Sequence, residues 1–143
     1  MKTLGMLLFL SLACLACSVK PEPIAFGKAS CHHCKMTLMD PKFGAEIVTS
    51  KGKVHTFDDI NCMVNFMKEK ALPQEEISYL MVVDMAKTKE LIAAQQAFFV
   101  KGSSVNTPMG SGVVAFAKVE PYEAFIKEKG GELLTWKQVL DLF

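Results

Sequence analysis

The sequence predicts an α+β fold in which two related β-β-α units pack as one small globular domain. Three observations carry this expectation. Ala45-Glu46-Ile47-Val48-Thr49 and Val54-His55-Thr56-Phe57 are β-prone segments on either side of a Ser50-Lys51-Gly52 turn. Behind them, Ile60, Met63, Val64, Met67 and Ala71 recur at the spacing of one buried helical stripe. The second half of the chain then repeats this order. Ala97-Phe98-Phe99-Val100-Lys101-Gly102 mirrors the first strand and turn, and Val113-Val114-Ala115-Phe116 mirrors the return strand. The helical segments align without gaps, Phe57, Phe66 and Lys68-Glu69-Lys70 standing against Phe116, Phe125 and Lys127-Glu128-Lys129.

Taken in order, the chain begins with a positive Met1-Lys2 and an apolar run over residues 4–16. That run is too short to span a bilayer and reads as an export signal. It ends in Leu12-Ala13-Cys14-Leu15-Ala16-Cys17, where small residues before a cysteine resemble a bacterial lipobox. A lipoprotein signal peptide is expected over 1–17, with the lipid on Cys17 or, alternatively, Cys14. Residues 18–30, with Pro21 and Pro23, read as an extended linker. The domain is expected over 31–143, its pseudo-repeats covering about 31–84 and 97–143. In the first, Asp58 or Asp59 can N-cap a helix over 60–70 that Pro73 closes, and 79–83 is an apolar strand ending at Asp84. In the second, Glu120-Pro121 opens a helix that runs through Lys129 and stops at Gly130-Gly131.

Composition narrows the function classes. A chain of 143 residues, half of them hydrophobic, can bury a real core. A net charge of +1, with the basic residues spread along the chain, argues against a nucleic-acid partner. The expected place is the cell envelope, facing the periplasm from a lipid anchor. Of the five cysteines, two belong to the export region, leaving Cys31, Cys34 and Cys62. Three thiols in an oxidising compartment cannot all pair within the chain, which favours chemistry over stapling.

The chemistry is concentrated in Cys31-His32-His33-Cys34-Lys35-Met36-Thr37-Leu38-Met39. Thiolate and thioether sulfurs are soft donors that select Cu(I). If the segment is extended, Cys34 and Met36 project to one side and can meet one ion. Met36 is otherwise a core gap filler. Met109 stands in Asn106-Thr107-Pro108-Met109-Gly110-Ser111-Gly112, a stretch so rich in turn formers that it reads as a loop. Facing halves would make it a third sulfur. Cys31 and Cys34 form a C-x-x-C pair, suited to metal or to a reversible disulfide. Cys62 falls in the first helical turn, where the helix dipole favours thiolate; it can join the site, resolve a disulfide or simply be buried. Adjacent His32 and His33 cannot share one small ion, so at most one of them is a ligand, and His33 is kept as a candidate. His55 reads as structural, and Met39, Met63, Met67, Met81 and Met85 as core.

In this order, the lipobox, Cys34-Lys35-Met36, Phe43-Gly44-Ala45, Phe57-Asp58-Asp59-Ile60-Asn61-Cys62-Met63, Ala97-Phe98-Phe99-Val100 and Thr107-Pro108-Met109-Gly110-Ser111-Gly112 with Ala115-Phe116 resemble the NosL family. The match runs from the signal to near Trp136. The resemblance implies a non-enzymatic Cu(I) chaperone that works with a membrane ABC-type maturation complex and feeds the copper centres of nitrous oxide reductase. It also implies paired β/α halves, like the small N-terminal module of organomercurial lyase. Its metal-binding pattern falls on Cys34 and Met36, with Met109 as third ligand. Cys31-His32-His33 is a departure that adds a thiol and two imidazoles, opening the way to Zn(II) and leaving the client enzyme open. The rival readings are structural zinc on Cys31, Cys34, Cys62 and one His, and an anchored C-x-x-C thiol–disulfide oxidoreductase. The latter leaves Met36 and Met109 idle.

Overall fold

The structure, a computed structural model, describes residues 19–102 and 104–143. The expected signal peptide and both lipidation candidates, Cys17 and Cys14, lie outside the described residues. Strands β1 (Ala45–Thr49) and β2 (Val54–Phe57) form an antiparallel hairpin, helix α1 (Ile60–Glu69) follows, and β3 (Ile77–Val83) returns along β1. A short β4 (Leu91–Ala93) adds to β3 and completes a sheet of order β2-β1-β3-β4. Strands β5 (Phe98–Lys101) and β6 (Val113–Phe116), helix α2 (Val119–Lys129) and β7 (Glu132–Leu134) build a second sheet of order β6-β5-β7, with α3 (Trp136–Leu142) after it. In each sheet the first strand is central, flanked by its hairpin partner and by the strand that follows the helix. The α+β class and the doubled unit expected from sequence are therefore both present; the strand expected over 79–83 is β3, and the second unit gains β7 in the matching place.

The halves meet where Asp84 pairs parallel to Ala115 and the Met85 N–H donates to the Ala115 carbonyl at 2.8 Å. One core runs through both, including Ile47, Phe57, Met63, Val64, Leu80, Val82, Phe99 and Val113. Burying each such side chain contributes roughly 1.5–3 kcal/mol. α1 supplies Ile60, Cys62, Met63, Val64 and Phe66 to it. Phe66 meets Phe57 at a ring-centroid distance of 5.2 Å. α2 buries no residue completely and instead covers Val100, Val114 and Phe116 with Tyr122, Phe125 and Ile126.

Several expectations need correction. Ala71 is not part of the helical stripe: it is exposed, with φ of 45°, just past the Lys70 cap. Inside the expected linker, Ile24 is buried and Phe26 and Ala29 pack on the core. The Glu22 N–H donates to Glu46 Oε1 at 3.1 Å. The chain thus joins the fold before Cys31. Met39, assigned to the core, is 69% exposed, because a non-repetitive segment after Leu38 carries no face that must be buried.

Candidate metal centre

Three pieces of backbone bring the site together. The first is the cysteine loop, closed by a Ser30–Thr37 bridge, by the Cys31 N–H on the Met36 carbonyl at 2.8 Å and by the Lys35 N–H on the Cys31 carbonyl at 3.0 Å. Lys35 has φ of 69°, so Cys34-Lys35-Met36 is not extended as the sequence reading supposes; a tight turn places thiol and thioether. The second piece is the edge of β2. The Thr56 N–H donates to His32 Nδ1 at 3.1 Å, the His32 N–H to the Thr56 carbonyl at 2.9 Å, and Thr56 Oγ1 to the Ser30 carbonyl at 3.2 Å. These bonds strap the loop beside the end of β2. The third is the start of α1, which carries Asp58, Asp59 and Cys62.

The result is a cluster in which Cys31, Cys34, Cys62 and Asp58 each present a ligand atom, all within 4.8 Å of one another. Cys31, Cys62 and Asp58 are buried, while Cys34 is half-buried at the edge. Among the described residues, all three thiols are free of disulfide bonds. Cys31 is pulled down to about 4, first by a hydrogen bond from the Cys62 thiol and then by the backbone N–H groups of Asp58, Cys34 and His33, against the opposing effect of burial. Cys62 is pushed up because it donates to Cys31 and is buried. The thiolate expected at the helix start therefore sits on Cys31 instead, since a direct hydrogen bond outweighs the helix dipole. Burial raises Cys34, and burial with the neighbouring Cys31 raises Asp58. The Cys34 thiol donates to Asp58 Oδ1 at 3.5 Å. Metal binds the thiolate form, so the site can release protons as an ion enters.

Asp58 is the donor that sequence reasoning missed. One carboxylate suffices for an N-cap, so the doubled Asp58-Asp59 was the available signal. Neither caps α1 through its side chain. Asp59 instead accepts from Thr107 Oγ1 (2.6 Å), Ser111 Oγ (2.6 Å) and the Met109 N–H (3.0 Å). Asn61 adds a bond from Nδ2 to the Met109 carbonyl at 3.3 Å. The Pro-Met-Gly loop of the second half is thereby pinned to the first. Met36 and Met39 share a cleft with Asp58, Thr107 and Pro108. Met36 is 55% and Met109 38% exposed.

The histidines stand apart from the sulfurs. His33 Nε2 lies 3.0 Å from Glu69 Oε1, outside the four-donor cluster. His32 is engaged by Thr56 and packs edge-on against His55, with ring centroids 4.7 Å apart. His55 is buried against Phe66. The fourth neighbour of the three thiols is a carboxylate, not the histidine of the structural-zinc reading.

Fold and site together define a small doubled α+β protein with a thiol-rich cluster competent to bind a soft metal ion. The NosL family model matches residues 23–141, so the chain belongs to the NosL family. Among solved structures, the crystal structure of the copper chaperone NosL from Shewanella denitrificans is similar, with a TM-score of 0.67 and 27% identity. The match covers 82% of this chain and 96% of that one. A search of curated proteins gave no match.

Proposed function

We propose that this protein is a Cu(I) chaperone, not an enzyme. It is held by a lipid on Cys17, or on Cys14, at the periplasmic side of the envelope. It hands copper to a membrane ABC-type maturation complex and, through it, to the copper centres of nitrous oxide reductase. For hand-off the cargo sits on Cys34, Met36 and Met109. The observation that supports this reading is a half-buried Cys34 at the edge of the thiol cluster in a NosL-family fold, with the thioethers of Met36 and Met109 both exposed. Thioethers are neutral and soft, so they favour Cu(I) without holding it irreversibly. A partner's sulfurs can then replace them one at a time.

The test is anaerobic Cu(I) titration of the full chain against a chromophoric chelator, followed by release to that chelator. One tight equivalent is expected, weakened roughly tenfold or more by Cys34→Ser. Met36→Ala and Met109→Ala are expected to slow release. A chain that binds no Cu(I), or that keeps stoichiometric Zn(II) against it, rules the carrier role out. The second result would instead install the zinc-stabilised interaction module, which has the Asp58 carboxylate in its favour.

A further inference from the structure

We propose that the copper cargo has two positions that share Cys34: an inner one on the thiolates of Cys31, Cys34 and Cys62, and an outer one on Cys34, Met36 and Met109. This rests on the carrier reading and deepens it. Cys31 and Cys62 are 1% and 2% exposed. No partner side chain can reach an ion held between them. Their sulfurs and that of Cys34 lie within 4.8 Å of one another. Metal–thiolate bonds of about 2.3 Å set the sulfurs of one ion roughly 4 Å apart, so a small contraction closes the set.

The outer position has the opposite character. Met36 lines an open cleft with Asp58 and Pro108, and Met109 follows Pro108 on the loop that Asp59 pins. Cys34 links the two environments through its bond to Asp58. The ion passes outward by ligand exchange. Cu–S bonds to Cys31 and Cys62 break, bonds to the thioethers of Met36 and Met109 form, and Cys34 stays bound. The freed pair takes one proton from solvent, carried by Cys62 and shared with Cys31, and copper remains Cu(I) throughout. Three thiolates suit the soft monovalent ion without Asp58, whose oxygen is the poorer donor for it. The inner position stores and the outer one delivers.

The full chain, labelled with 13C at its methionine methyls and kept anaerobic in detergent, is given one equivalent of Cu(I). Met36→Leu and Met109→Leu assign the two signals. The expected result is that both signals stay in place in the unmutated chain and move in Cys62→Ser. Cu(I) affinity should fall roughly tenfold or more in Cys31→Ser and in Cys62→Ser. X-ray absorption of the unmutated, loaded chain provides a readout that needs no variant: three short thiolate sulfurs are expected. Methyl signals that shift with the first equivalent, together with affinity indifferent to Cys31 and Cys62, would overturn the inner position while leaving the carrier role standing. Absence of Cu(I) binding in every form would overturn both.

Discussion

Glu46 sits in β1 with no exposure to water; its Oε1 accepts from the Glu22 N–H, and its Oε2 has no partner among the described residues. Burial raises it from 4.5 to about 6. A carboxyl raised on folding stabilises the fold below its unfolded value, and the contribution is lost as pH climbs through the folded one. At pH 7 the ionised side chain therefore costs on the order of 2 kcal/mol. Glu46→Gln keeps the acceptor and removes the charge. It is expected to raise the melting temperature at pH 7 and to give no gain at pH 4.5. Equal gains at both values would mean that charge is not the cause. His55 runs the other way: burial lowers it to about 4, so its contribution is present above 6.5 and fades as pH falls toward 4.

Among the elements, the β2–α1 junction does the most to assemble the site. An Asp59 acting only as an N-cap would be worth about 1 kcal/mol, and asparagine would replace it freely. Here its loss strands the hydroxyls of Thr107 and Ser111 and the Met109 amide. Buried donors left without an acceptor cost about 1–3 kcal/mol each. Asp59→Ala is thus expected to lower unfolding free energy by about 3 kcal/mol or more, and Asp59→Asn by less, as measured by denaturant unfolding. A loss near the simple capping value for alanine would refute the clamp. A second element-scale constraint lies between α2 and β7. Gly131 has φ of 126°, and a Cβ there would come within 2.7 Å of Val100 Cγ1 and 2.9 Å of the Lys101 carbonyl. Gly131→Ala is expected to cost more than about 1 kcal/mol, since both the backbone and the space oppose it. Wild-type stability in that variant would show that β7 can shift away from β5.

For the molecule as a whole, the metal centre and the fold are coupled. The four donors come from a loop, a strand–helix junction and a helix, which only the folded chain brings together. Bound Cu(I) should therefore raise the unfolding midpoint. Free ion at a thousand times its Kd adds about 4 kcal/mol, and a competing chelator should remove the increment. A midpoint indifferent to Cu(I) would place any bound copper on the unfolded chain equally well. Because the Asp59 clamp and a continuous core join the halves, they are expected to unfold in one transition. Separate transitions by near-ultraviolet and far-ultraviolet dichroism would show that the halves are independent.

Local pattern determined much of this protein. Strands β1, β2, β5 and β6 and both longer helices announce themselves because β-prone runs, turns and helical stripes are properties of neighbours in sequence. Three short elements were less legible. β4 and β7 are three residues each and take their conformation from the strands they join. α3 did carry a local sign, the Thr135-Trp136-Lys137-Gln138 capping box, whose bonds the structure contains. The sequence also marks Cys31, Cys34, Cys62, Met36 and Met109 as soft donors. Which of them meet, and that Asp58 joins them while His33 turns to Glu69, depends on where the cysteine loop lies along β2. The same holds for the proton: helix position alone favours thiolate at Cys62, and the contact with Cys31 reverses it. Donor chemistry resides in each residue, whereas distance, burial and hydrogen-bond direction arise only when segments far apart in the chain pack together.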